Sequence, residues 1–185
     1  MKKQRGEALI LAIVMALAFF GIVFVVVRLV QYSLVTTSRT TNANALKTVT
    51  ASLQYYAAKN KVSLQKGYRI DGIAVPTAPT LTELQSQQYL TLGVSSTTPF
   101  GSQFKTILTV APTGAISGFV YTQSGVINNG SVDSRFACEV ASNLGEIGFC
   151  STENSPSVIG NSSNQVANPA GNFPAIVAGS IFVSA

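Results

Sequence analysis

Two cysteines, Cys138 and Cys150, are the residues of this 185-residue chain best suited to covalent chemistry, and the chain has no histidine. Without histidine there is no Ser-His-Asp or Cys-His activation of a nucleophile and no imidazole ligand for a metal. Two thiolates alone do not complete the four-ligand site of a structural zinc ion. The pair therefore favours a disulfide, formed in an oxidising compartment, over two buried free thiols.

The acidic side chains are the remaining candidates for catalysis or metal binding. They include no pair at the spacing of a glycosidase or a metal site: Asp71, Glu83, Asp133, Glu139, Glu146 and Glu153. The chain has no P-loop, no G-x-G-x-x-G and no G-x-S-x-G motif. We interpret these carboxylates as solvated or helix-capping groups, and we predict no enzyme activity, no metal and no cofactor.

The positive charge of the chain is concentrated at its N-terminus. The formal net charge is +5, and Lys2, Lys3 and Arg5 supply three of the twelve basic residues. After Gly6, nine basic residues face seven acidic ones. These nine are spread singly, without an Arg-rich or aromatic-interleaved stripe, so they indicate a solvated surface and no nucleic-acid partner.

A long apolar run occupies the start of the chain, from Ala8 to Val27, and its twenty residues include no charged side chain. A helix rises about 1.5 Å per residue, so the run is long enough to cross a hydrocarbon layer of about 30 Å. It exceeds the apolar region of a cleavable secretory signal, and its small-x-small triplet, Ala16-Leu17-Ala18, is followed by more apolar residues. The basic residues in front of it predict a cytoplasmic N-terminus.

The helix is predicted to continue beyond this apolar run. No proline precedes Pro76, and Gly21 is the only glycine between residues 7 and 60. The β-branched stretch 36–41 is the place where the helix would loosen.

An apolar stripe at helical spacing follows on an otherwise polar surface: Leu46, Val49, Leu53 and Tyr56. We therefore predict one long helix over residues 7–61. Its first part, 7–30, is the membrane anchor, and its later half enters a soluble domain.

Residues 62–185 are predicted to form that domain. Thr80 and Glu83 make a capping-box pattern at the start of a short helix. "QFKTILTV" and "AISGFVYTQ", separated by a Pro- and Gly-containing turn, indicate a β-hairpin. "DSRFACEVASNLG" indicates a second short helix with Gly145 as its C-cap, and "SIFVSA" indicates a final strand. The expected fold class is α+β, with the long helix packed on a small antiparallel β-sheet and short connecting helices.

These features together resemble a type IV pilin or pseudopilin. The resemblance rests on Lys2-Lys3-Gln4-Arg5-Gly6 in front of the apolar run, and on the α and β pattern behind it. It implies a prepilin leader over residues 1–6 and cleavage by prepilin peptidase between Gly6 and Glu7. It further implies a helix that is first anchored in the inner membrane and later lies in the core of an extracellular helical filament, among other pilin subunits.

The order of a long helix, a "TELQSQQYL" helix and a hairpin is similar to the N-terminal domain of type IVb tip proteins of thin conjugative pili, whose C-terminal ends are switched by shufflon recombination. This resemblance implies adhesion or conjugation, with a cell-surface receptor as partner. Ala8, Ala12 and Ala16 recur every fourth residue, so they place small side chains on one helix face, where another subunit can approach closely. Alanine is also common in any membrane helix, so this pattern has two interpretations.

Leu11 is the fifth residue after the expected cleavage bond, where pilins commonly carry glutamate. That glutamate is thought to neutralise the N-terminal amine of a neighbouring subunit in an apolar core, where an unpaired charge is costly. Leucine offers no such partner, and in a homopolymer the lack recurs at every joint. We therefore expect a minor or tip-located subunit, unless the carboxylate of Glu7 reaches the amine by another route.

Two alternatives remain open at this stage. One is a pseudopilin of a type II-like secretion system, which has the same architecture. The other is a single-pass membrane protein with an extracytoplasmic binding domain, which predicts an uncut N-terminus and no assembly.

Overall fold

The first helix, α1, spans Lys2–Lys59 in the computed structural model of the chain. The structure describes residues 2–98, 101–128, 131–151, 158–160, 165–167 and 181–185. The long helix is confirmed, although it begins within the predicted leader and ends at Lys59 rather than at residue 61. A second helix, α2, follows at once over Lys61–Lys66 and ends at Gly67, whose φ of 67° is left-handed.

The helix continues through its Thr-rich stretch, 36–41, without a break, and hydroxyls at and just before the start of this stretch bond to the backbone of the preceding turn. The hydroxyl of Ser33 donates to the carbonyl of Val30 at 2.9 Å, and that of Thr36 donates to the carbonyl of Tyr32 at 3.0 Å. Such bonds satisfy the hydroxyl without breaking the helix ladder.

Contacts divide the chain into two units, residues 1–38 and 39–185. The second unit begins at Arg39 rather than at residue 62, because the later half of α1 belongs to its core. The predicted apolar stripe, Leu46, Val49, Leu53 and Tyr56, has no solvent-exposed surface. Leu53 packs on the sheet at Gly118, where an added Cβ would lie 3.5 Å from its Cδ2 atom.

The remaining elements of the second unit follow in chain order. Helix α3 is Leu81–Ser86. Strands β1, Phe104–Val110, and β2, Ile116–Thr122, form the predicted hairpin. Strands β3, Ile127–Asn128, and β4, Ser131–Val132, form a separate pair. Helix α4, Ser134–Ser142, precedes a 3-10 turn, Gly145–Ile147, and strands β5, Gly148–Cys150, β6, Val158–Gly160, β7, Gln165–Ala167, and β8, Ile181–Ser184.

The main sheet is antiparallel throughout, and its strand order is β1-β2-β8-β5-β6-β7. The last strand, β8, therefore lies between β2 and β5. Its Ile181 and Val183 are almost fully buried. The four strands β1, β2, β8 and β5 form a small antiparallel sheet, and β6 and β7 extend it beyond β5. The α+β fold class is thus confirmed at this coarse level.

The prediction of Gly145 as the C-cap of α4 is wrong. The helix ends at Ser142 with Asn143 as its C-cap, and Gly145, with φ of 71°, opens the 3-10 turn. The reason is the close packing of Gly148 against α4: an added Cβ atom at Gly148 would lie 2.3 Å from the carbonyl oxygen of Ala141. The helix stops early so that β5 can pack directly against it.

Tyr56 joins α1 to the loop that precedes α3. Its ring is fully buried, and its hydroxyl donates to the carbonyl oxygen of Pro76 at 2.9 Å. Burial, with smaller contributions from the nearby Tyr89 and Glu83, raises the pKa of Tyr56 to about 12. The neutral phenol is therefore the form that the folded chain stabilises.

Tyr56→Phe is expected to lower the free energy of unfolding by about 1 kcal/mol, because it removes one buried hydrogen bond. The folded-state pKa lies above the ordinary value of 10.0. The stabilisation by the neutral phenol is therefore complete below pH 10.0, and it is lost as the pH rises toward 12. Urea unfolding of the full chain in detergent at neutral and at high pH measures both effects. Tyr55→Phe is the matched control, because Tyr55 is 53% exposed. An equal effect of the two substitutions would contradict the prediction.

Candidate functional site

The described surface of the first unit is apolar on every side over residues 13–30, apart from Arg28. Within Ile13–Lys59 an 18-residue window has a mean hydropathy of 2.8, and none of it is buried in the fold. The exposed side chains include Met15, Leu17, Phe19, Phe20, Phe24 and Leu29. A helix that is apolar all round is stable in lipid or inside a protein assembly, and not in water. Among the described residues, α1 is the one helix long and apolar enough to cross a membrane.

A single cation interrupts this surface. The guanidinium of Arg28 lies 5.3 Å from the centroid of the Phe24 ring, one turn nearer the N-terminus. Tyr32, one turn further on, is 70% exposed. The end of the apolar run thus combines one arginine with aromatic rings, a composition typical of membrane interfaces.

The predicted cleavage residues, Gly6 and Glu7, lie on α1. The side chains of residues 2–12 are outside the described part of the structure, and these include two members of the alanine series, Ala8 and Ala12. The third member, Ala16, is exposed on the helix. Cleavage at Gly6 and helix packing through the alanines stay predictions.

Cys138 and Cys150 are joined by a disulfide, with their Cα atoms 5.0 Å apart. The bond ties α4 to β5. Cys150 is buried, and Phe136 and Val140 of α4 lie in the same core. The bond therefore links the two ends of the segment that turns back at Gly148.

Glu139 takes part in ion pairs on the surface of the second unit. It accepts from the guanidinium of Arg39, and at 3.3 Å from Nε of Arg135. The Arg39 guanidinium also lies 5.4 Å from the centroid of the Phe136 ring. Sequence spacing offered no signal for the Arg39 contact, because the two residues belong to different helices.

The other predicted capping residues act at helix starts. The carboxylate of Asp133 accepts from the backbone N–H of Phe136 at 2.9 Å. Thr80 and Glu83 form the complete capping box at α3. Among the described residues, no three His, Cys, Asp or Glu side chains are grouped so that they could hold a metal ion.

A cavity of about 280 Å³ lies in the second unit between the helices and the hairpin. Its walls are mainly apolar, with Ala57, Ala58, Leu108 and Ile116, and Lys61 is its charged side chain.

Glu83 does more than cap α3. One carboxylate oxygen accepts from the N–H of Ala74 at 2.6 Å, and the other accepts from the N–H and the hydroxyl of Thr80 at 2.7 and 2.8 Å. Burial alone would raise its pKa, but these three hydrogen bonds outweigh it, and the pKa is lowered. The carboxylate thereby fixes the loop before α3.

Glu83→Gln is expected to destabilise the second unit by about 1 kcal/mol at neutral pH, a value at the low end for a charged acceptor because water reaches this carboxylate. A lowered folded-state pKa means that the contribution is present above the ordinary value of 4.5 and is lost as the pH falls below it. Unfolding midpoints of wild type and variant should therefore converge in acid. Asp71→Asn, an exposed carboxylate nearby in the chain, is the control. A difference that is independent of pH would refute this role.

No protein-family model, curated protein or solved structure matches this chain.

Proposed function

We propose that this chain is a structural subunit, minor or tip-located, of a type IVb pilus. It is inserted in the inner membrane as a prepilin with a cytoplasmic N-terminus, trimmed after Gly6 by prepilin peptidase, and assembled through its apolar helix for adhesion or conjugation. The observation that carries the proposal is α1 itself. Its first part is apolar on every described side and its later part is the core of an α+β unit.

This division of one helix suits two successive environments. In the membrane, the apolar side chains of residues 13–34 contact lipid. In a filament, the same side chains contact the helices of other subunits, so no apolar surface has to be exposed to water. The disulfide Cys138–Cys150 is consistent with a second unit outside the cytoplasm.

The rarity of the subunit follows from Leu11, which offers no carboxylate to the N-terminal amine of a neighbour. A tip subunit tolerates the missing carboxylate because it has only one contact with a neighbour's amine, or none. The two alternatives are a pseudopilin of a type II-like secretion system and a single-pass membrane protein with an extracytoplasmic binding domain.

Intact mass of the chain purified from cells that contain the peptidase tests the proposal. We expect the mature form to begin at Glu7, whereas a single-pass anchor begins at Met1. Counting subunits in sheared pili then tests the minor or tip location: if this chain is the dominant pilus protein, that location is wrong.

A further inference from the structure

The proposed function assigns no role to the cavity of about 280 Å³ in the second unit. One wall is helical, with Ala57 and Ala58 near the end of α1, and the facing wall is the β1–β2 hairpin, with Ala115 and Ile116. Helix and hairpin face each other here mainly through alanines, whose side chains are too short to fill the space between them. Leu108, which is buried, lies at the inner end of the cavity.

Hydrogen bonds beside the cavity connect its helical wall to the hairpin. The side-chain amide of Gln65, on α2, donates to the carbonyl oxygen of Gly114 in the hairpin turn at 2.6 Å. Within that turn, the N–H of Gly114 donates to the carbonyl of Ala111, and the N–H of Ala111 donates to the carbonyl of Ala115, each at 2.8 Å. The cavity is therefore formed by the folded chain itself, without a ligand, as is usual for binding sites.

Three polar side chains line the cavity, and all of them can donate hydrogen bonds: Gln54, Lys61 and Ser117. They are exposed, so they lie at its opening, whereas Leu108 and Gly118 are buried. None of the three forms a side-chain hydrogen bond with another described residue, and no described carboxylate pairs with Lys61. The opening thus carries one positive charge and unused donors, and no acidic side chain lines it.

We propose that this cavity binds a small amphipathic carboxylate. Its apolar body lies against Leu108, Ile116 and the alanines, where contact removes apolar surface from water. Its carboxylate accepts hydrogen bonds at the opening, from the ammonium group of Lys61 and from the neutral donors beside it. One cation with neutral donors suits the single negative charge of a carboxylate better than the nearly double charge of a phosphate monoester. The inference goes beyond the proposed function and does not depend on it, because every lining residue belongs to the second unit.

Hexanoate, added at neutral pH, is the probe for this site. Binding to the full chain in nanodiscs of zwitterionic lipid is followed by NMR of methyl groups. We expect saturable shifts of the Leu108 and Ile116 signals and no shift of Val140, a core residue of α4 that does not line the cavity. Hexanamide, which has a chain of the same length without the charge, should bind several times more weakly. Acetate, which has the charge without the chain, should cause no saturable shift over the same concentrations.

Four substitutions separate the contributions of charge and cavity. Lys61→Gln should weaken hexanoate binding by about fivefold, the limit for an ion pair that water reaches, and leave hexanamide binding unchanged. Lys61→Arg keeps the charge and should keep the affinity. Lys59→Gln is the matched control, because Lys59 is an exposed cation two positions away that does not line the cavity. Ala58→Leu fills the space from an exposed helical position and should abolish binding of both probes.

The unchanged Val140 signal reports that each variant is folded, so a loss of binding reflects the site. Shifts that do not saturate, or equal shifts in the Ala58→Leu chain, overturn the inference. Equal affinities for hexanoate and hexanamide, or an equal loss of hexanoate binding in the Lys61→Gln and Lys59→Gln chains, overturn the carboxylate as the ligand. None of these results changes the first residue of the mature chain or its entry into pili, so they leave the proposed function to its own test.

Discussion

Gly6→Val is expected to abolish removal of residues 1–6 and to keep the chain in the inner membrane with Met1 as its first residue. Glycine leaves the scissile carbonyl without a neighbouring side chain, whereas valine places a branched side chain directly beside it. Under the proposed function, the basic residues ahead of Gly6 keep this bond at the cytoplasmic face. Intact mass of the membrane fraction, and the presence of the chain in sheared pili, measure the two consequences.

Gly21→Val is the matched control for this substitution. It makes the same change in the same helix, at a glycine where an added Cβ atom meets no atom within 4 Å. We expect normal removal of residues 1–6 from this variant. Processing of the Gly6→Val chain at the wild-type rate would exclude Gly6 as the cleavage residue, and loss of processing in both variants would point to a general defect of the helix.

Replacement of both cysteines by alanine, Cys138→Ala with Cys150→Ala, is expected to lower the free energy of unfolding by about 3 kcal/mol in the chain-entropy model. The bond closes a loop with a sequence separation of 12, which restricts the unfolded chain. It also holds the turn at Gly148 against α4, where there is no room for a side chain. Denaturant unfolding of the full chain in detergent measures the loss.

Reductant provides the control for the cysteine variant. A reducing agent should lower the unfolding midpoint of the wild type to that of the double variant, and it should not change the double variant. Thiol labelling of the unreduced, denatured wild type should detect neither cysteine. Two labelled thiols per chain would show that the bond does not form in cells.

Several elements could be predicted from sequence because each depends on interactions within one segment. The helical continuity of α1 beyond Gly6 follows from the lack of proline and of glycine other than Gly21. The capping box at Thr80 joins residues three positions apart, and the hairpin needs only the five residues between β1 and β2 to make its turn. In all three cases the residues that stabilise the element are neighbours in the chain, so residue types and spacing are enough to predict the element.

The strands β6 and β7 lie within a Ser-, Asn- and Pro-rich stretch that showed no strand pattern. They pair with each other, and β6 joins the sheet at Cys150 through Gly160. A strand at the side of a sheet is held largely by backbone hydrogen bonds to its neighbour, which any side chain except proline permits. Composition therefore gave no signal for them.

By itself the sequence determined the exposed apolar run, the long helix with its buried stripe, the short capped helices and the hairpin, because periodicity and composition act along the chain. Only the tertiary structure decided that β8 lies between β2 and β5, where the N–H of Ile181 donates to the hydroxyl of Thr122, 59 residues away, at 3.0 Å. It likewise decided that Arg39 pairs with Glu139 and that α4 stops before Gly145. These features depend on which distant segments meet in the core, and such contacts leave no periodic trace in either segment.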